Sequence, residues 1–150
     1  MREFATLADM QAVLGQEVAV SDWVEISQQR IALFADATDD HQWIHVDAAR
    51  AARESPFGGT VAHGFLTLAM LPALLSRAVR MVDMKLGLNY GLNKVRFPAP
   101  VPAGSRIRLR LQLAAIDEME GGAQVSWQMT VEREGGDKPV CVAEFLMRRY

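Results

Sequence analysis

Two proton-handling side chains, Asp40 and His45, stand five residues apart in Asp40-His41-Gln42-Trp43-Ile44-His45, and Ala62-His63-Gly64 then opens a long apolar run. A carboxylate beside an imidazole can hold one water between them, the carboxylate accepting its proton and the imidazole orienting it or returning a proton. Such a pair also has a plain structural reading: the Asp caps a turn and the His is a satisfied core residue. Gly64 shifts the balance toward chemistry. At the start of a buried helix its amide has no intrahelical partner, and the helix dipole favours negative charge there. An acyl carbonyl that turns enolate-like in a transition state would be stabilised at that point, as in an oxyanion hole. The structural alternative is that Gly64 only permits close packing. Carboxylate, imidazole and amide together predict an enzyme that moves protons next to a thioester carbonyl.

Other polar residues carry weaker signals. One Asp and three His without a tight ligand pattern make a poor metal signature, so no metal is expected and His41 and His63 are assigned supporting or structural roles. Asn89 is a substrate-binding candidate at the acyl pocket or its mouth, against the alternative that it satisfies a strand end. Lys94, Arg96 and the stripe Arg106, Arg108, Arg110 have the charge to meet phosphates, but a charged strand face is ordinarily solvated. The eight methionines are expected to fill the core, where flexible side chains also suit an acyl tunnel.

Elements must position these groups. Leu7, Met10, Val13 and Leu14 have helical spacing over Thr6 to Leu14, with Gly15 placed to end the helix. Trp23 to Ile26 reads as a short strand, and Ser27 caps a second helix through Phe34 and beyond. Asp39 to Val46 is expected to be a loop, Asp47 the cap of a short helix through Arg53, and Ser55 to Thr60 another loop. From Gly64 to about Val79 the apolar residues cover nearly the whole circumference of a helix, which therefore has to be enclosed. The enclosure follows in the chain. Ile107, Leu109, Leu111 and Leu113 alternate with polar residues, as do Val125, Trp127, Met129 and Val131. Gly121-Gly122 and Gly135-Gly136-Asp137 sit at hairpin turns, and strands are predicted over Lys85 to Phe97 and about Val140 to Arg148. Four antiparallel strands curling around one long central helix make an α+β arrangement of the hot dog kind.

At 150 residues, half of them hydrophobic and 23% charged, the chain reads as one globular domain over residues 1–150. A net charge of −2 supplies no field for nucleic acid or an anionic membrane, so neither is an expected partner. Cys141 is the only cysteine, which excludes an internal disulfide and suits a reducing compartment. The segment beginning at Met1 has no secretory-type apolar core, so residence in the cytoplasm is expected. Residues Ser55 to Ser76 lack formal charge, but the apolar part is broken by Thr67 and Pro72 and is too short to cross roughly 30 Å of hydrocarbon.

The run Phe34-Ala35-Asp36-Ala37-Thr38-Asp39-Asp40-His41-Gln42-Trp43-Ile44-His45-Val46-Asp47, with Ala62-His63-Gly64-Phe65, resembles the MaoC-like dehydratase or (R)-specific enoyl-CoA hydratase family. Asn89 to Pro100 resembles its nodulation protein N branch. The resemblance covers nearly the whole chain and implies a hot dog homodimer. It implies a hydro-lyase adding water to a trans-2-enoyl-CoA, or an acyl carrier protein thioester, to give the (R)-3-hydroxyacyl thioester without metal or organic cofactor. By motif, Asp40 would activate the water, His45 would help hold it and handle the second proton, and Gly64 would donate its amide to the thioester oxygen. Four positions depart from the pattern. Gln42-Trp43 replace Asn-Pro, Pro72 stands where some members carry a serine, and Asp39 replaces a glycine, a tolerable change even at positive φ. Two other readings stay open on the same fold: an acyl-CoA thioesterase, and a non-catalytic acyl-thioester binding subunit.

Overall fold

The computed structural model describes residues 1–150. β1 (Arg2–Phe4) leads into α1 (Leu7–Gln11). Thr6 and Asp9 cap that helix reciprocally, the Thr6 hydroxyl accepting from the Asp9 amide at 3.3 Å and the Asp9 carboxylate from the Thr6 amide at 2.9 Å. The helix stops at Gln11, short of the expected Leu14, and Gly15 turns the chain with φ 78°. β2 (Glu17–Val20) and β3 (Val24–Ile26) follow, and Ser27 caps α2 (Gln28–Thr38) by accepting from the Arg30 amide at 3.2 Å.

The expected loop over Asp39 to Val46 contains a short helix, α3 (Trp43–Val46). Gln42 is its N-cap and Trp43 its first residue, the two positions that Asn and Pro favour for their cap oxygen and fixed φ. The Gln-Trp replacement therefore keeps the turn helical, although Gln42 makes no side-chain cap bond. Arg50 lies over the Trp43 ring at 4.3 Å and ties α3 to α4 (Ala48–Glu54), which Asp47 caps as expected.

The central helix differs from the expectation in two ways. It is two pieces, α5 (Gly64–Ala69) and α6 (Leu71–Ala78), because Pro72 has no amide to donate to the carbonyl of Leu68 and the ladder breaks at Met70. Its end at Ala78 lies within one residue of the expected one, and Val79 opens β4 (Val79–Met81), which pairs in parallel with β1. Nor is it enclosed all round. Leu66, Met70, Leu71, Leu74, Leu75 and Ala78 are buried, whereas Phe65 is 68% exposed and Leu68 half-buried.

β5 (Gly87–Arg96), β6 (Ser105–Met119), β7 (Gly122–Arg133) and β8 (Cys141–Arg149) are the four expected strands. They form an antiparallel sheet in the order β2-β6-β7-β8-β5, with β3 also paired to β6. Period-two alternation fixes its faces: Ile107, Leu109, Leu111, Leu113, Val125, Trp127, Met129 and Val131 are fully buried in the one core cluster that also takes in the inner faces of α5 and α6. Each such side chain contributes about 1.5–3 kcal/mol by leaving water. On the opposite face the arginine stripe is spent on carboxylates, Arg106 with Glu134, Arg108 with Glu132 at 2.8 Å, and Arg110 with Glu17 at 2.7 Å. Such surface pairs are worth about 0–1 kcal/mol each and act mainly on register. No helix is long and apolar enough to cross a membrane.

Candidate active site

The site begins where α2 ends. Asp39 adopts the left-handed conformation, φ 58° and ψ 19°, and reverses the chain so that Asp40 turns back toward the body of the molecule. The Asp40 carboxylate stays half exposed and accepts from the Gln42 amide at 3.4 Å. His45, carried on α3, is 7% exposed, and its Nδ1 lies 2.7 Å from the carbonyl of Val61. With a carbonyl as partner Nδ1 must carry the proton, which leaves Nε2 as the acceptor of a neutral ring. Burial pushes the His45 pKa below the ordinary 6.5, His63 acts in the same direction, and the Val61 hydrogen bond and the Asp40 carboxylate oppose them. Near neutral pH this imidazole is a base.

Gln28 holds the backbone beneath it. Its Nε2 donates to the His45 carbonyl at 2.7 Å and its Oε1 accepts from the Thr60 hydroxyl at 2.5 Å, joining α2, α3 and the segment before α5. Sequence reasoning misses this residue, because a glutamine in the first turn of a helix carries no signal of a partner 17 residues on.

His63 lies inside the site. Its ring stacks on His45 with centroids 3.8 Å apart and planes 23° from parallel, and Phe34 closes the other flank at 5.0 Å. One ligating atom each from Asp40, His45 and His63 fall within 4.8 Å of one another, close enough for a single water to bridge carboxylate and imidazole. A tetrahedral cation fits this donor set poorly: nearly parallel rings send their in-plane lone pairs alongside each other, while two nitrogens on one metal must converge. His41 stands apart, exposed and paired with Asp36 at 2.8 Å, a contact that raises its pKa.

His45 also lines a cavity of about 370 Å³ together with Gly64, Thr67, Phe57, Val61 and Phe97. Gly64 is the first residue of α5, so its amide is free of intrahelical bonding, as expected. Thr67 carries no functional signal in the sequence, where it reads only as a break in the apolar run. It is buried one turn after Gly64, and its hydroxyl takes no partner within the chain, unlike the helical hydroxyls of Thr38 and Ser76, which return to the carbonyls of Phe34 and Ala73. Asn89 is not in this cavity. It lies on β5 between two other hollows of about 410 and 350 Å³, both also lined by Pro72. Met1, Met81, Met84 and Met147 line the larger of them.

Residues 9–135 match the family described as MaoC like domain. The chain is 54% identical over 149 residues to the 3-hydroxyacyl-thioester dehydratase Z of Mycobacterium tuberculosis, covering 99% of this chain and 98% of that protein. It is 46% identical over 144 residues to nodulation protein N of Rhizobium leguminosarum, covering 94% and 89%. In three dimensions it is similar to the unliganded R-hydratase of Pseudomonas aeruginosa, with TM-score 0.73 at 24% identity over 91% of this chain and 81% of that one. The (R)-hydratase of A. caviae gives TM-score 0.71 at 21% identity, over 89% and 94%.

Proposed function

Because this chain belongs to the MaoC-like dehydratase family, we propose that it is a hydro-lyase adding water reversibly across a trans-2-enoyl thioester to give the (R)-3-hydroxyacyl thioester. The observation that carries the reading is the placement of His45, which shares a one-water gap with Asp40 on one side and a cavity wall with Gly64 on the other. Water sits between the Asp40 carboxylate and the neutral Nε2 of His45. Its oxygen bonds to the β-carbon as Asp40 takes one of its protons, and that proton is then delivered from Asp40 to the α-carbon, so that H and OH add across the double bond and the carboxylate is restored. The thioester oxygen, which gains charge as the enolate forms, accepts from the Gly64 amide. No group outside the chain is needed for this balance.

Coenzyme A and acyl carrier protein thioesters share the reacting atoms, and both are proposed as substrate carriers. Asn89 is proposed to contact the acyl or pantetheine portion beyond the reacting carbons. The assembly is proposed to be a homodimer: β5 is one edge of the sheet, and its Leu88, Tyr90 and Leu92 are exposed together with Phe65, a combination of free edge and apolar side chains that a second copy would cover. A buried, lone thiol and the absence of charge-driven membrane affinity support a cytoplasmic setting.

The test is hydration of crotonyl-CoA, followed by loss of enoyl absorbance. Asp40→Asn and His45→Ala should each lower kcat by at least about 100-fold while circular dichroism stays unchanged. Wild-type turnover by both variants, or an (S) product, overturns the reading. Free thiol released from saturated acyl-CoA would identify a thioesterase instead.

A further inference from the structure

We propose that His63 is a positioning residue of this site, fixing the placement of the Asp40 carboxylate relative to the His45 imidazole by a backbone hydrogen bond to one and ring stacking on the other. The assignment rests on the hydratase reading above.

His63 occupies the N-cap of α5, where a short polar side chain would satisfy a free amide, yet it makes no cap bond. Its ring reaches 23 residues back along the chain, and Nε2 donates to the carbonyl of Asp40 at 2.9 Å. The same nitrogen is 4.0 Å from the Asp40 carboxylate. Donation through Nε2 leaves Nδ1 buried without a partner in the chain, a cost that a phenyl ring of similar shape would avoid. Histidine is therefore explained here by its Nε2–H and not by packing alone. Asp40 needs such an anchor. Its carboxylate is half exposed and held only by the 3.4 Å contact to Gln42, and the residue follows a left-handed turn in the α2–α3 connection. Without the His63 bond the carbonyl of Asp40 would be free to rotate, and with it the gap that holds the water.

The stack adds a second effect on the same pair. The ionisable groups around the His45 ring are His63, from the start of α5, and Asp40, from the turn after α2; α2 itself contributes the apolar ring of Phe34, and its Asp36 is engaged by His41. A neighbouring imidazole disfavours a proton on His45 and keeps Nε2 available as an acceptor.

Two variants separate the contributions. His63→Phe keeps a stackable ring and removes the donor; His63→Gln keeps a donor of similar reach and removes the ring. The expected result is a kcat loss of about 10- to 100-fold for His63→Phe with KM within about twofold, and partial recovery of kcat in His63→Gln. In both variants the acid limb of the kcat/KM profile moves to higher pH, as does the midpoint of the His45 ring resonances in an NMR titration. Equal losses that track a fall in Tm mean a structural role only and overturn the proposal. So does a His45 midpoint that moves in neither variant. If the wild type hydrates no enoyl thioester the hydratase reading fails, and the NMR titration of wild type against the two variants still decides whether His63 sets the state of His45.

Discussion

The α-carbon of Gly64 packs against the ring of Phe97 so closely that a β-carbon on residue 64 would stand 2.9 Å from Cδ2 and 3.0 Å from Cγ. Glycine thus answers two demands at once, room for the aromatic wall of the cavity and an unobstructed amide at the start of α5. Gly64→Ala is expected to cost about 1–3 kcal/mol in urea unfolding through overpacking. Phe97→Ala placed in the same chain should return part of that loss. A double-mutant cycle that comes out additive would mean the two residues do not meet.

The lowered pKa of His45 gives stability a pH dependence of known sign. The unfolded chain binds a proton near the ordinary 6.5 while the folded one resists it, so stability is full above 6.5 and falls as pH drops through the folded value. The same protonation removes the Nε2 acceptor, so kcat/KM should fall over that window too. Denaturation of wild type and His45→Gln between about pH 7.5 and 5.5 checks the sign, the variant giving the shallower slope.

Cys141, the first residue of β8, is fully buried, and burial pushes its thiol from 9.0 to about 11. At pH 8 that rise leaves roughly 100-fold less thiolate than an exposed cysteine would carry, and access is blocked as well. Reaction with a disulfide reagent should therefore be slower than in denaturant by at least that factor, and a native rate equal to the unfolded one would contradict the burial.

Asp39 holds φ 58° where the family pattern has glycine. Short polar side chains tolerate this region and β-branched ones do not, so Asp39→Val should cost about 1–2 kcal/mol and Asp39→Gly less than about 1 kcal/mol. Asp39→Val should also lower kcat, since Asp40 leaves this turn directly. Calorimetry and initial rates on the two variants decide it.

Thr67→Val removes a hydroxyl that bonds to nothing else in the chain, so Tm should hold. If that hydroxyl meets substrate or the held water, kcat/KM falls by about 3- to 10-fold, the worth of one hydrogen bond. An unchanged kcat/KM would show that Thr67 faces the cavity without touching what fills it.

The long strands are legible because period two over eight residues leaves one solution for the faces of β6 and β7, and glycines mark both hairpins, where Gly121 and Gly135 have positive φ. Ser27 and Asp47 announce their helices by cap chemistry alone. Apart from β3, elements of three or four residues escape notice: α3 is barely one helical turn, too short to show a repeating pattern, and β1, β2 and β4 exist through partners far away in sequence. The break at Met70 is written in Pro72, but the surrounding apolar run conceals it. Asp40, His45 and Gly64 can be picked out by residue type and motif. His63 cannot be placed among them, because stacking of two rings 18 residues apart is decided by how α3 and α5 meet, and the 4.0 Å to Asp40 follows from the same packing. Asn89 has a chemically suitable side chain but sits on the opposite course of the edge strand from the His45 cavity.

The pairing order of the strands also sets a timetable for folding. Within the first 86 residues the only strand pairing is β1 with β4; β2 and β3 wait for β6, and β5 waits for β8. Asp40, His45 and Gly64 thus leave the ribosome well before the β6-β7-β8 meander that carries the core exists. That meander is built from sequence-local contacts and can form quickly once made, whereas the older half must then close loops of about 80 to 95 residues onto it, the slow step for a chain of this topology. Until β8 has been added the nascent chain holds its candidate-site loop and apolar helix against an incomplete sheet, and it is this interval that exposes it to aggregation.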